Sequence, residues 1–302
     1  MKKTLEKRIN RFLSLLIIVV LLPLLVTILF QQMQLSALLA GNQGIQGEGT
    51  AGCGENAEVE QTVLGIVARE ISVDSPKQAI LAQSVIARTN LYAARETQTA
   101  EPKALALEDM KTLWGEEFDE VYGKLEEEVA QTKGQVLTWK GDYIYAAYHA
   151  VSAGETRNMK ELYADSNMPY LQKISCPRDT ASEGYIAVSY WDENDFFPEE
   201  STEEQRRAEV IARDEAGYVL SVQIGDKTYT GDEFRSQYNL DSSCFSISVG
   251  DGRVRVVTKG IGHGFGLSQY TAAKMAEEGK SYEEILNFFY PGTKLAQVTE
   301  SE

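Results

Sequence analysis

Residues 259–269 read KGIGHGFGLSQ, with glycine at four alternate positions around one of the two histidines in the chain. The spacing does not fit a nucleotide site, because Phe265 stands where the third glycine of G-x-G-x-x-G would fall and no P-loop Lys-Ser/Thr pair is present. Ser268 lacks the second glycine of a G-x-S-x-G nucleophile elbow. We therefore expect this glycine loop to form one side of a groove opposite Glu70, packed closely on a neighbour with its amides turned toward a ligand.

On either side of the glycine loop, the apolar pattern changes from helical to alternating and back to helical. VEQTVLGIVAREI and the segment that ends LYAARE have helical spacing, as do LSQYTAAKMAEEG and SYEEILNFFYPGT. Five stretches between them have strand character: QVLTWKGDYIYAAYHAVSAG, GYIAVSYW, AEVIARD, GYVLSVQIGDKTYT and CFSISVGDGRVRVVTKG. This order predicts an α+β fold with N-terminal helices, central antiparallel β strands and C-terminal helices. Residues 97–133 predict a charged, helical, solvent-facing insertion.

The first thirty residues predict a membrane anchor. Residues 1–11 are basic, and residues 12–30 form an uncharged apolar run long enough to cross a bilayer as a helix. A cleavable signal peptide is the rival interpretation, but its apolar region is usually shorter and no small-x-small site follows closely. We favour an uncleaved single-pass anchor in the cell membrane, with the basic flank in the cytoplasm and the C-terminal part extracytoplasmic. Residues 31–57 then form a flexible stalk, and residues 58–298 form one folded domain.

The charge distribution argues against nucleic acid as a partner. The chain carries a formal charge of −16, and its first thirty residues contribute +4, so the remainder carries −20. An acidic exported surface without a dense basic patch suits neutral or amide-rich polymers better than polyphosphates.

The two histidines and three cysteines raise the questions of a metal site and a disulfide. His149, His263 and Cys176 could gather as metal ligands, but paired H-x-x-x-H or C-x-x-C spacing is absent, so we predict no metal and no cofactor. The alternative use of the histidines is as separate hydrogen-bonding residues. Cys53, Cys176 and Cys244 are an odd number, which leaves open a Cys176–Cys244 disulfide or buried free thiols.

Glu70 differs from most of the acidic residues because it ends an apolar helical stretch. It lies on or beside the apolar stripe and precedes SVDSP, a turn into a second helix whose inner face is mostly small residues. Partial burial disfavours the charged form of a carboxyl group, and a protonated carboxyl is what a general acid requires. The residues alone slightly favour a purely structural Glu70 over a general acid.

Four segments, in order, resemble the stage II sporulation protein D and amidase-enhancer family (SpoIID/LytB). The helix pair VLGIVAREI and SPKQAILAQSVIARTNLYAA resembles its opening signature. YAAYHAVSAGET with MPYLQKIS, then EFRSQYNLDSSCFSI, then GIGHGFGLSQYTAAKMAEEG resemble its later segments. Ala153, Leu267 and Tyr270 depart from the pattern, and cysteines that can hold a metal in some relatives are replaced here by Val151 and Arg157, among others.

The resemblance implies a membrane-anchored lytic transglycosylase that cleaves peptidoglycan glycan strands lacking stem peptides during engulfment in spore-forming bacteria. Its catalytic glutamate falls on Glu70, and a groove tyrosine falls on Tyr185. Seven further matches imply groove residues: Gln83, Arg88, His149, Ser152, His263, Ser268 and Gln269. The implied partners are a cell-wall amidase and other engulfment membrane proteins. The main alternative is a non-catalytic glycan-binding protein that activates an amidase, and a third is a metal-dependent hydrolase.

Overall fold

The computed structural model describes residues 51–197, 201–203 and 205–298. The predicted basic tail, the anchor at 12–30 and the stalk up to residue 50 lie outside these ranges. Among the helices of the described part, none has the length and apolar character needed to span a membrane. The first described helix begins at Ala51, ahead of the predicted start of the folded domain at Glu58.

The longer helices of the described residues come before and after most of the strands, as the pattern predicts. The N-terminal group is α1 (Ala51–Glu70), α2 (Lys77–Thr97), α3 (Leu107–Trp114) and α4 (Phe118–Ala130). Three short helices interrupt the central part: α5 (Met159–Leu162), α6 (Glu193–Phe196) and α7 (Gly231–Gln237). The C-terminal group is α8 (Gln269–Glu277) and α9 (Tyr282–Phe289). Single 3-10 turns occur at Gly115–Glu117 and Pro177–Ala181.

The strands form small, mostly antiparallel sheets. Their bounds are β1 (Gln135–Trp139), β2 (Asp142–Tyr143), β3 (Tyr148–His149), β4 (Ile186–Asp192), β5 (Ala208–Arg213), β6 (Val219–Ile224), β7 (Lys227–Tyr229), β8 (Phe245–Gly250), β9 (Arg253–Lys259), β10 (Leu267–Ser268) and β11 (Lys294–Gln297). The sheet orders are β11-β1-β2, β4-β9-β8 and β5-β6-β7, with β3 and β10 as a parallel pair. The α+β class and the central antiparallel strands are therefore confirmed.

The turn chemistry explains two of these hairpins. Lys140 and Gly141 both have positive φ, 57° and 101°, as the predicted β1-β2 hairpin turn requires. Asp251 and Gly252 do the same between β8 and β9, with φ of 53° and 72°.

Helix α2 lies at the centre of the fold, because its two faces belong to different cores. Ile80, Ala87 and Leu91 pack with apolar residues of α1, α3 and α4. On its other side, Ala82 and Ile86 pack with residues of β1, α8 and α9. A third core fills the space between the strands from β4 to β9.

The predicted insertion at 97–133 is helical, but it does not only face solvent. Met110 of α3 and Leu125 and Val129 of α4 are buried in the core that they share with α1 and α2. The segment that connects α2 to α3 contacts α1 directly, since Leu105 N donates to Gly65 O at 2.9 Å. The charged residues therefore occupy only the outer side of this segment, and the inner side completes the first core.

Candidate active-site groove

A cavity of about 660 Å³ opens beside α2, and Glu70 and His263 both line it. Glu70 comes from the C-terminal end of α1 and His263 from the glycine loop, so the expectation that they face one groove is confirmed. The other lining residues come from three stretches: Asn90, Ala93, Ala94, Thr97, Thr99, Ala100 and Pro102; Tyr143, Tyr145, Ala146, Ala147 and Tyr148; and Asn167, Met168 and Tyr170.

The backbone of Glu70 is held by the start of α8. Gln269 Nε2 donates to Glu70 O at 2.7 Å and to Gln83 Oε1 at 3.3 Å. The Glu70 side chain is 31% exposed, and its Oε1 lies 3.4 Å from Arg69 Nε. Gln83 thus orients Gln269, which holds the end of α1 where the Glu70 side chain lines the groove.

Residues 143–148, the tyrosine segment, form the aromatic side of the groove. Between β2 and β3, side chains bond to the backbone: Asn90 Oδ1 accepts from Ala146 N at 2.8 Å, Asn90 Nδ2 donates to Ala146 O at 3.0 Å, and Tyr170 Oη accepts from Tyr145 N at 3.2 Å. On either side, Ile144 N donates to Leu137 O of β1 and Ala147 O accepts from Leu267 N of β10, so side chains take the place of a strand partner only at Tyr145 and Ala146. The arrangement leaves the Tyr145 ring 51% exposed at the groove.

Among the groove tyrosines, Tyr148 is the one whose pKa responds to the carboxylate of Glu70. It is half-buried, and burial followed by the nearby Glu70 carboxylate raises the pKa of Tyr148 well above its ordinary range. The phenol therefore stays protonated at neutral pH and can only donate a proton toward the carboxylate. A parallel bridge between β3 and β10 pairs Tyr148 with Leu267 and so fixes its position against the glycine loop.

The two histidines are neutral hydrogen-bonding residues. His149 Nδ1 lies 3.0 Å from Phe265 O, which assigns the proton to that nitrogen, and burial followed by the neighbouring His263 lowers the pKa of His149 to about 3. Burial followed by the charge of Arg235 lowers the pKa of His263 to about 4. His263 Nδ1 accepts from Phe265 N at 3.1 Å, so its proton is assigned to Nε2. Neither ring carries charge at neutral pH.

The glycines of the loop are needed for close packing. Gly262 has φ of +116°, and an added Cβ would lie 2.6 Å from His149 Cβ. Gly266 has φ of +66°, and an added Cβ would overlap the carbonyl of Ala147. The loop is therefore pressed against the segment that carries Tyr148 and His149, as predicted.

The expectation that the loop amides face a ligand is wrong for the amides of residues 260–262. The amides of Gly260, Ile261 and Gly262 donate at 2.7–2.9 Å to backbone carbonyls of Tyr185, Val151 and Asp241. They are used up in holding the loop to its neighbours, and the loop presents a side chain to the groove, that of His263.

Comparison with known proteins gives this arrangement a family. The Stage II sporulation protein (SpoIID) family matches residues 48–139. Stage II sporulation protein D of Bacillus amyloliquefaciens is 30% identical over 260 residues, which cover 80% of this chain and 75% of that protein. The chain belongs to the stage II sporulation protein D family. The protein of that name from Bacillus subtilis is also 30% identical over 260 residues, covering 80% and 76%. The amidase enhancer of Bacillus subtilis is 27% identical over 299 residues, covering 76% of this chain and 40% of that protein.

Two of the family-motif serines lie beneath the groove rather than in it. Ser152 and Ser268 are fully buried and converge on Asp179. The Asp179 carboxylate accepts from Ser152 N at 2.7 Å, from Ser268 Oγ at 2.9 Å and from Thr271 Oγ1 at 2.7 Å. Asp179 thus joins the central segment to the start of α8. The sequence gives no signal for it, because it stands in CPRDTAS without a recognisable motif.

Two other motif residues are not brought to the groove. The Arg88 guanidinium is buried and binds both Glu60 carboxylate oxygens, at 2.8 and 2.7 Å, so it joins α2 to α1. The Tyr185 hydroxyl donates to Ala153 O at 2.9 Å, and Tyr185 is absent from the groove lining. The structure therefore does not support Arg88 as a substrate-binding residue or Tyr185 as a groove tyrosine beside Glu70.

Both described cysteine side chains are buried free thiols. Cys176 and Cys244 do not form the disulfide that the sequence left open. Burial raises the pKa of Cys176 to about 12, with the charge of Asp179 adding to the shift. These thiols pack as small apolar groups and are poorly suited to act as nucleophiles.

The residues that sequence reasoning missed are mainly aromatic: Tyr143, Tyr145, Tyr148 and Tyr170, with Asn167 beside them. One signal was available, since YIYAAYH places three tyrosines within six residues of a stretch read as a strand. Which face would meet Glu70 depends on the partner of that stretch, and the pattern does not provide it.

Proposed function

We propose that the protein is a peptidoglycan lytic transglycosylase that cleaves glycan strands to 1,6-anhydromuramyl products. The observation that carries this proposal is the single carboxylate of the groove: among its described lining residues, Glu70 alone is acidic. Hydrolysis of a glycosidic bond generally uses two carboxyl groups, one for the leaving group and one for water or the anomeric carbon. A lytic transglycosylase needs one, because the attacking group belongs to the substrate.

In the proposed reaction, Glu70 acts first as an acid and then as a base. Its carboxyl proton passes to the glycosidic oxygen as the bond from that oxygen to the anomeric carbon of muramic acid breaks. The resulting carboxylate takes the proton of the 6-hydroxyl on the same ring, and that oxygen bonds to the anomeric carbon. The product is a 1,6-anhydro ring, Glu70 is again protonated and no water is consumed.

The remaining groove residues suit a polysaccharide. Tyrosine rings present flat apolar faces with a polar tip, which fits the C–H faces and hydroxyl rims of sugars. Tyr145 and Asn167 are exposed in the groove, and Arg69 is the cation nearest Glu70. His263, neutral at working pH, is a hydrogen-bonding group rather than the base.

The proposal is tested by comparing Glu70→Gln with Glu58→Gln on purified glycan strands. Gln keeps the shape of Glu but cannot supply the proton, so we expect Glu70→Gln to lower anhydromuramyl release by at least about 100-fold. Glu58 lies on the same helix and is exposed outside the groove, so its variant controls for loss of charge. Equal anhydromuramyl release by Glu70→Gln and the unsubstituted protein would overturn the assignment.

A second candidate function is favoured by the similarity to an amidase enhancer, which covers 76% of this chain. A non-catalytic protein would bind glycan in the same groove and stimulate a cell-wall amidase. It predicts that Glu70→Gln retains the stimulation, whereas a bulky change at Tyr145 removes both glycan binding and stimulation.

We further propose that residues 12–30 anchor the chain in the cell membrane, with the groove on the outer side. This rests on the basic flank and apolar run of the sequence. In this setting the substrate is glycan lacking stem peptides, and a cell-wall amidase and other engulfment membrane proteins are the partners. Protease added to intact protoplasts should degrade the domain of the full chain; protection of the domain would contradict the orientation.

A further inference from the structure

We propose that Tyr148 is the positioning residue for Glu70, donating a hydrogen bond from its hydroxyl to the carboxylate. This inference rests on the proposed function and adds to it a residue that belongs neither to the predicted site nor to the seven implied groove positions. It replaces Tyr185, which lies elsewhere.

The placement of Tyr148 supports this role. Tyr148 and Glu70 line the same groove, and the carboxylate lies close enough to the phenol to disfavour its ionisation. The phenol is attached to β3, which pairs with β10 at Leu267, while the backbone of Glu70 is bonded to Gln269 two residues further on. The backbones of Tyr148 and Glu70 are thus both held by one short stretch of chain, from Leu267 to Gln269.

The titratable and charged groups around this pair come from four parts of the chain. Arg69 is on the helix of Glu70, Tyr145 lies on the tyrosine segment, and His263 lines the groove from the glycine loop. Tyr290, which follows α9, is buried close to Tyr148. His263 is neutral, because burial followed by Arg235 lowers its pKa to about 4. Arg69 and Tyr145 can also donate to the carboxylate, but both side chains are exposed, and the His263 ring bonds to the backbone of Tyr148. Tyr148 is therefore the half-buried donor that is left for the carboxylate.

The Tyr148 hydroxyl has one role before the glycosidic bond breaks and another after it. Before cleavage, it bonds one carboxyl oxygen and leaves the other, which carries the proton, directed at the glycosidic oxygen. After the proton has left, the same hydroxyl stabilises the new carboxylate. Tyr148 neither gains nor loses a proton, so the proton balance of the reaction is unchanged.

The test is Tyr148→Phe, which keeps the ring and removes the hydroxyl. We expect kcat to fall about 10- to 100-fold with KM changed less than about twofold, since the lost bond is made to a charged group. Removing a donor to the carboxylate disfavours its charged form, so the pH–rate profile should move to higher pH. Tyr145→Phe is the matched control for the profile, because it removes a hydroxyl from the same groove, and its profile should keep the position of the unsubstituted protein.

A purely structural Tyr148 would lower folding stability without moving the profile, and this outcome would overturn the inference. If Tyr148→Phe does not fold, 3-fluorotyrosine at position 148 replaces it as the probe. Its more acidic phenol is a stronger donor and should move the profile to lower pH, and an unmoved profile overturns the inference. Loss of activity in Glu70→Gln together with normal kcat and profile in Tyr148→Phe rejects Tyr148 alone, whereas full activity in Glu70→Gln rejects the proposed function.

Discussion

The glycine loop and the tyrosine segment face the same groove but differ in how their sequence relates to their role. The loop carries the recognisable glycine motif, yet three of its amides bond to neighbouring backbone and its serine is buried on Asp179. Tyr145 and Tyr148 stand in YAAYHAVSAGET, which also resembles a family segment, but no tyrosine of the tyrosine segment was predicted as a site residue. The segment nevertheless supplies three tyrosines to the groove. The glycine motif thus supports the groove, and aromatic side chains of the segment packed against it form part of the groove surface.

The comparison between the two regions shows why residues of a family motif need not be the residues that contact substrate. A buried glycine or serine tolerates little change, because packing and hydrogen bonds fix it on all sides. A groove side chain meets solvent on one face and is less constrained by the fold. Of the nine predicted site residues, Glu70 and His263 line the groove, and the others support it or lie away from it.

The largest expected effect is at the contact between the two regions. Gly266→Ala combines a φ of +66° with overlap on the Ala147 carbonyl, so we expect the free energy of unfolding to drop by at least about 3 kcal/mol. Gly279→Ala is the matched control: its φ is +86°, but nothing lies within 4 Å of the added Cβ, so strain alone costs about 1 kcal/mol. Urea unfolding of both variants measures the difference, and equal losses would show that the loop does not depend on close packing.

The next effect is a pH dependence from His149, which lies between the two regions. The folded-state pKa of His149 is lowered to about 3, whereas the unfolded chain titrates near 6.5, so the unfolded state binds more protons between these values. Stability should therefore fall as pH drops below about 6.5, by about 2 kcal/mol between pH 7 and pH 5 for this residue.

Urea midpoints at pH 7 and pH 5 measure this dependence in the unsubstituted protein and in His149→Gln. Gln cannot titrate, so its variant should be less stable at pH 7 but should lose less on acidification. An identical loss in both proteins would mean that His149 does not set the acid sensitivity of the fold.

The smallest effect separates a motif tyrosine from a groove tyrosine. Tyr185→Phe removes one hydrogen bond, to Ala153 O, so we expect a stability loss of about 1 kcal/mol and kcat within about twofold of the original. Kinetics on glycan strands, with a thermal melt, check both numbers. A loss of kcat as large as the one expected for Tyr148→Phe would mean that Tyr185 acts in the active site.

Much of the fold was predictable from the sequence, because local patterns determine it. The helical spacing in α1 and α2, the alternation in β8 and β9 and the turn residues at Lys140 and Gly141 all correspond to observed elements. The position of Glu70 also followed, since an acid at the end of an apolar helix must lie near the edge of the core.

The errors concern long-range partners, which local patterns do not specify. Arg88 is buried because Glu60 lies opposite it on α1, and that pairing depends on the register between two helices. Three loop amides are occupied because Val151, Tyr185 and Asp241 pass beside them. At Tyr145 and Ala146 the tyrosine segment lacks a strand partner, and side chains of Tyr170 and Asn90 take its place.

The central claim is that one carboxylate, Glu70, cleaves glycan without water. The most direct measurement is cleavage of purified glycan strands in water enriched in heavy oxygen, followed by mass spectrometry of the muramic acid end. We predict an anhydro end that carries no heavy oxygen and is lighter than the hydrolysed end by one water molecule. A reducing muramic acid end that carries heavy oxygen at its anomeric carbon would mean hydrolysis and would contradict the account.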